Sequence, residues 1–161
     1  MNITHPIPPE YNKNSKVLIL GSFPSVKSRE SGFYYGHKQN RFWKVLAAVF
    51  GCAVPETVEQ KKAFLHAHNI ALWDVISSCD ITGSADSSIK NVVPNDISSL
   101  LRECSIEQIF TNGKTAHNYY NKYILNSVGR SAVCLPSTSP ANAAFNLNKL
   151  ILQWQAVKLS D

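Results

Sequence analysis

Residues 16–20, Lys-Val-Leu-Ile-Leu, form a short branched apolar run that stops at Gly21 and Ser22, and no other segment constrains the fold as much. A strand with no polar alternation is buried on both faces, as happens in the centre of a parallel sheet covered by helices. The rest of the chain alternates in the same sense. Phe42, Val45, Leu46, Val49 and Phe50 recur at helical spacing before Gly51, which predicts a helix closed by glycine. Thr57 with Gln60 reads as a capping box for a second helix, and residues 70–76 (IALWDVI) read as a second strand. Asn95 or Asp96 caps a third helix whose Ile97, Leu100, Leu101 and Cys104 share a face, ahead of a strand at 106–111. Ala116, Tyr119, Tyr120, Tyr123 and Ile124 mark another helix, residues 131–135 a last strand, and Leu147, Leu150, Ile151, Trp154 and Val157 a final helix.

Parallel neighbours need crossover connections, so strands alternating with amphipathic helices predict an α/β sandwich with a mainly parallel sheet. At 161 residues and 44% apolar composition, the chain fits one compact domain, 1–161. Ligands of such folds sit outside the carboxyl ends of the strands. The loops beginning at Gly21, Asn112 and Pro136 are therefore expected to converge on one crevice.

Several chemistries are disfavoured by what the sequence contains. Asn112-Gly113-Lys114-Thr115 follows a strand as a phosphate loop would, but Gln108 stands where that motif needs its first glycine. Gly21 is followed by Ser22, Phe23 and Pro24, which is no dinucleotide glycine pattern, and Ser22 lacks a GxSxG elbow. His66 and His68 lie two apart and point to different helix faces, which disfavours a metal site. The four cysteines are widely spread and read as reduced, mostly buried thiols. No secretory signal and no membrane-spanning apolar run is visible, so a cytoplasmic location is expected. A net charge of +5 permits a polyanionic partner without specifying one. Asp74 reads either as a paired structural acid or as a pocket acid.

The loop after the first strand, GSFPSVKSRESGFYYGHKQNRFWKVL, and the loop after the last, LPSTSPANA, resemble motif 1 and motif 2 of the uracil-DNA glycosylase superfamily. The resemblance is nearest to the deoxyinosine, or hypoxanthine-DNA, glycosylase branch, with mismatch-specific uracil glycosylases next; both share an NRFW-like segment. It implies a three-layer αβα sandwich around a four-stranded parallel sheet. It also implies hydrolysis, without metal or cofactor, of the bond between a deaminated base and its sugar in double-stranded DNA. Hypoxanthine is the expected base and a monomer the expected state. A mismatch-specific uracil-DNA glycosylase and a noncatalytic DNA-binding relative are the alternatives. No Schiff-base lysine falls in the matched motifs, so a monofunctional enzyme is expected.

Carried onto this chain, the resemblance makes Asn40 the residue that orients the hydrolytic water, and Tyr35 the aromatic wall for a base extruded from the duplex. Asn112 is the base reader, because one carboxamide offers a donor and an acceptor to the lactam edge of hypoxanthine. Guanine shares that edge, so its exclusion needs a wall against the exocyclic amine. Ser22 and Phe23 complete the base pocket. Ser137, Thr138, Ser139 and Pro140 form a loop for phosphates at the start of a helix, with Ala141 and Asn142 as a small polar wedge. Lys27, Arg29, Lys38 and Lys114 add phosphate attraction, and His37 is a candidate electrostatic helper. From the residues alone, Asn40 also reads as a helix cap and Asn112-Gly113 as a turn. Phe23 and Leu135 stand where other branches carry an acidic or amide residue and a histidine.

Overall fold

The computed structural model describes residues 2–159. Strands β2 (Val17–Gly21), β3 (Ile70–Asp74), β6 (Gln108–Asn112) and β7 (Val133–Leu135) form a parallel four-stranded sheet in the order β3-β2-β6-β7. Strands β1 (Asn2–Thr4), β4 (Ile76–Asp80) and β5 (Lys90–Pro94) form a separate antiparallel sheet in the order β1-β4-β5. The helices are α1 (Val26–Ser31), α2 (Phe42–Phe50), α3 (Val58–Ala67), α4 (Ile97–Glu103), α5 (Lys114–Tyr123), α6 (Leu125–Val128) and α7 (Leu147–Trp154). None of the described helices is long and apolar enough to cross a membrane.

Every residue of β2 is buried, which is why that strand carries no polar position. Its side chains alternate between two cores, as the pleat requires. Val17 and Ile19 join Phe42, Leu46, Leu65 and Trp154 under α2, α3 and α7, whereas Leu18 and Leu20 join Ile97, Leu100 and Tyr120 under α4 and α5. Caps end the helices where the sequence places them. The Thr57–Gln60 capping box opens α3, Asp96 rather than Asn95 caps α4 by accepting the amide of Ser99 at 3.1 Å, and Gly51 closes α2 at φ 67°.

The run at 70–76 is not one strand. Pairing with β2 ends at Asp74, and from Ile76 the chain enters the antiparallel sheet. Asn95 holds this break by donating from Nδ2 to the carbonyls of Asp74 and Ile76, at 2.9 and 3.2 Å. A side chain that satisfies both flanking carbonyls lets a strand change sheets without leaving orphaned polar groups. The stretch after β2 is likewise more than a loop. Ser25 accepts the amide of Ser28 at 3.1 Å and opens the short helix α1. Of the four cysteines, all of them free thiols, only Cys79 is buried; Cys52 and Cys134 are exposed, because the latter lies on edge strand β7.

Candidate active site

Register places four strand ends at one edge of the parallel sheet. Gly21 pairs with Asp74, and Asn112 pairs with Leu135, so β2, β3, β6 and β7 all release their chains on the same side. A cavity of about 370 Å³ opens there, between the Gly21–Ser25 turn, the Tyr35–Asn40 loop and residues 137–141. That is the size range of small-molecule sites, and the position is the one expected of an α/β sheet.

Thr138 organises this cavity. The residue is fully buried, and its amide donates to Asn112 Oδ1 at 3.0 Å. Asn112 Nδ2 donates back to Thr138 Oγ1 at 3.0 Å, and Thr138 Oγ1 donates onward to Asn40 Oδ1 at 2.8 Å. Asn40 Oδ1 also accepts the amide of Phe42, the first residue of α2, at 2.9 Å. Backbone donors on both amide oxygens fix which end of each carboxamide is oxygen. Asn40 has then used its acceptor capacity and presents its amino group, a donor only. Asn112 keeps one N–H and a single oxygen lone pair.

Asp74 lies deeper, 3% exposed, at the cavity wall. The amide of Ile7 donates to His5 Nδ1 at 3.2 Å, so the ring proton sits on Nε2, which donates to Asp74 Oδ2 at 2.7 Å. Asp74 is thus both a paired acid and a pocket acid. Its second oxygen, Oδ1, and the hydroxyl of Tyr35 border the same α-carbon: a Cβ on Gly21 would collide with the first and lie 3.1 Å from the second. Gly21→Ala should therefore unseat Asp74 from His5 and destabilise the fold by about 1–3 kcal/mol, as overpacking does. Chemical denaturation measures this, and unchanged stability would show that the strand end has room.

Tyr35 has a left-handed backbone, φ 55°, and its ring stacks on Phe42 with centroids 3.9 Å apart. One ring face is covered, and the residue borders the cavity. Its hydroxyl oxygen is buried with no hydrogen-bond partner among the described residues. Burial, and next the charge of Asp74, hold that hydroxyl protonated far above the ordinary tyrosine range, with Asn112 the one opposing influence. It remains a donor without an acceptor.

Ser22 and Phe23 border the cavity too, and Phe23 meets His5 edge-on at 5.8 Å between centroids. Ser137, Ser139, Pro140 and Ala141 form the opposite rim. Asn142 is turned back, donating from Nδ2 to the carbonyl of Ser137 at 3.0 Å. This loop does not start a helix, because α7 begins only at Leu147, capped by Asn146. Arg41 holds the loop instead. Its guanidinium donates to the carbonyls of Ser139 at 2.8 Å, Asn142 at 3.2 Å, Thr138 at 3.4 Å and Phe145. Spending one planar cation on several carbonyls of a single turn fixes its shape from outside. Arg29 is similarly committed, donating to Gly83 at 2.7 Å with its guanidinium over Phe23, whereas Lys27 and Lys38 are exposed. His37 lines the cavity and accepts the amide of Gln39 at 3.1 Å.

Sequence reasoning passed over His5 and Arg41. For Arg41 a signal existed, since an arginine beside the helix cap in Asn40-Arg41-Phe42-Trp43 has no apolar reason to be half-buried. Among the described residues, no group of three or more His, Cys, Asp or Glu side chains could hold a metal ion.

The strand ends of the parallel sheet thus carry two pinned carboxamides beside one cavity. The uracil DNA glycosylase superfamily matches residues 8–158, and the chain belongs to it. It is similar to a protein of Methanosarcina acetivorans named hypoxanthine DNA glycosylase, 35% identical over 152 residues and covering 93% of this chain and 94% of that one. A protein of Methanosarcina barkeri with the same name is 33% identical over 138 residues, 84% of this chain and 85% of its own length. The solution NMR structure of a Methanosarcina acetivorans protein provisionally named a uracil DNA glycosylase superposes with a TM-score of 0.80 at 30% identity, covering 99% of this chain and 100% of that one.

Proposed function

We propose that this protein is a monofunctional DNA glycosylase that releases hypoxanthine from double-stranded DNA. The observation that carries the reading is the Asn112–Thr138–Asn40 hydrogen-bond chain at the cavity, which leaves two amide donors at fixed places beside a space for one base. Its relatives' names point to the same base.

A base inside a duplex is out of reach, so it is turned out into the cavity, where Tyr35 offers the ring face not covered by Phe42. The C1′–N9 bond breaks with its electron pair leaving on the base, and C1′ becomes oxocarbenium-like. The amino group of Asn40 binds the oxygen of a water and directs it to C1′. Because Asn40 Oδ1 is already occupied, the residue positions the water and takes no proton from it; the proton passes to solvent after the C–O bond forms. Negative charge on the departing base is met by the free N–H of Asn112. Ser137 and Ser139 face the phosphates flanking the turned-out nucleotide, and Ala141 occupies the gap left in the stack.

The test is alkali cleavage of matched duplexes carrying deoxyinosine, deoxyuridine, deoxyxanthosine or no lesion. Strand scission confined to alkali-treated, deoxyinosine-containing duplexes is expected. Preference for deoxyuridine opposite guanine would move the protein to mismatch uracil repair, and binding without release would make it a noncatalytic relative. Phosphate contacts dominate docking, so duplex affinity should fall steadily as salt rises. A flat salt response in a binding titration would refute that mode of contact.

A further inference from the structure

One deep group plays no part in the steps above, and it is the oxygen of Asp74 that His5 leaves free, on a residue that lines the cavity. We propose that Asp74 is the residue that selects the base, by accepting the N1–H of hypoxanthine, while His5 holds it in place; this rests on the glycosylase reading above.

The lactam edge of hypoxanthine presents a donor, N1–H, beside an acceptor, O6. Its complement is an acceptor beside a donor. Asn40 offers no acceptor, and the oxygen of Asn112 has given one of its two lone pairs to the amide of Thr138. Asp74 Oδ1 has no hydrogen-bond partner among the described residues, whereas Oδ2 is taken by His5. Across the Gly21 strand end from Asp74, on the neighbouring strand, stands Asn112 with its free N–H. An acceptor and a donor thus flank the Gly21 strand end, where the base goes, while Asn40 is less buried than Asp74 and stands where the sugar remains.

The pair also accounts for rejection of normal purines. Adenine carries a lone pair at N1, which meets a carboxylate oxygen acceptor to acceptor. Guanine carries N1–H and an exocyclic amine and is best held by both oxygens of a carboxylate. His5 takes one lone pair of the second oxygen, so a two-oxygen grip on guanine has to share that oxygen with the imidazole.

Asp74→Asn separates this role from a structural one. Nε2–H of His5 keeps an oxygen on its side, so the variant turns an N–H toward the cavity and makes it a donor. The probes are duplexes carrying deoxyinosine or deoxynebularine, whose purine has a bare N1 lone pair and no O6. Wild-type protein should release hypoxanthine on the order of 100-fold faster than purine in single turnovers, since a site built to bond a polar group discriminates strongly against its absence. In Asp74→Asn that ratio should collapse to below about 10-fold, and in Asp74→Ala as well, each variant serving where the other does not fold. A purely structural Asp74 would slow both bases equally and keep the ratio, and that result overturns the assignment. Equal release of both bases by the wild-type protein overturns it whatever the variants do. A wild-type chain that releases no base from any duplex would instead bring down the glycosylase reading, and this inference with it.

Discussion

Asn40→Ala is expected to lower single-turnover release of hypoxanthine by on the order of 100- to 1,000-fold while leaving duplex affinity within about threefold, because orientation of the attacking water is the contribution lost. The structure gives Asn40 a second duty, since its oxygen accepts the amide that begins α2 and the hydroxyl of Thr138. Arg41 holds the N-cap position of α2, and removing the Asn40 oxygen that accepts the first helical amide costs about 1 kcal/mol, as loss of a cap does, so a loosened helix end contributes to any loss by Asn40→Ala. Asn40→Ser settles which contribution dominates. Serine keeps a capping oxygen and loses the amino group, and it should restore stability without restoring the rate. Recovery of base release in Asn40→Ser would show that capping, not water placement, is what the residue provides.

Thr138→Val should be nearly as damaging to activity and more damaging to stability. Valine matches threonine in shape but cannot stand between Asn112 Nδ2 and Asn40 Oδ1, and the position is fully buried. Leaving a buried amide donor without its acceptor costs about 1–3 kcal/mol, which for a domain of this size lowers Tm by roughly 2–4 °C per kcal/mol. Each carboxamide would keep its backbone donor but lose the hydroxyl that ties the two together, and release should fall on the order of 100-fold, the cost of displacing a positioning group by about 1 Å. Thr138→Ser keeps the hydroxyl and should recover both properties. A Thr138→Val protein that melts lower yet releases base at the wild-type rate would separate the hydrogen-bond chain from the chemistry.

Much of the layout is legible in residues 16–20. A strand apolar at every position needs cover on both sides, and the helical stripes at 42–50 and 147–157 meet one side while those at 97–104 and 116–124 meet the other. The capping box at Thr57 and the closing Gly51 form as local chemistry predicts, because their partners lie within one turn. The break at Val75 is not legible locally. It is held by Asn95, whose side chain returns from 19 and 21 residues away, and an apolar run such as IALWDVI contains no mark of the change of sheet. The small antiparallel sheet depends on that break and is equally silent in the sequence.

For the site, chain order and motif resemblance bring forward Tyr35, Asn40, Asn112 and Thr138, since each sits just after a strand or in a loop beside one. What the sequence determines is which loops meet, because a parallel sheet carries all its strand ends to one edge. Only the tertiary structure decides which atoms remain available there. Thr138 reaches across 98 residues to take the oxygen of Asn40, and His5 reaches across 69 to take one oxygen of Asp74. A side chain's chemistry is set by the lone pairs and protons its neighbours leave unused, and those neighbours are fixed by packing, not by spacing along the chain.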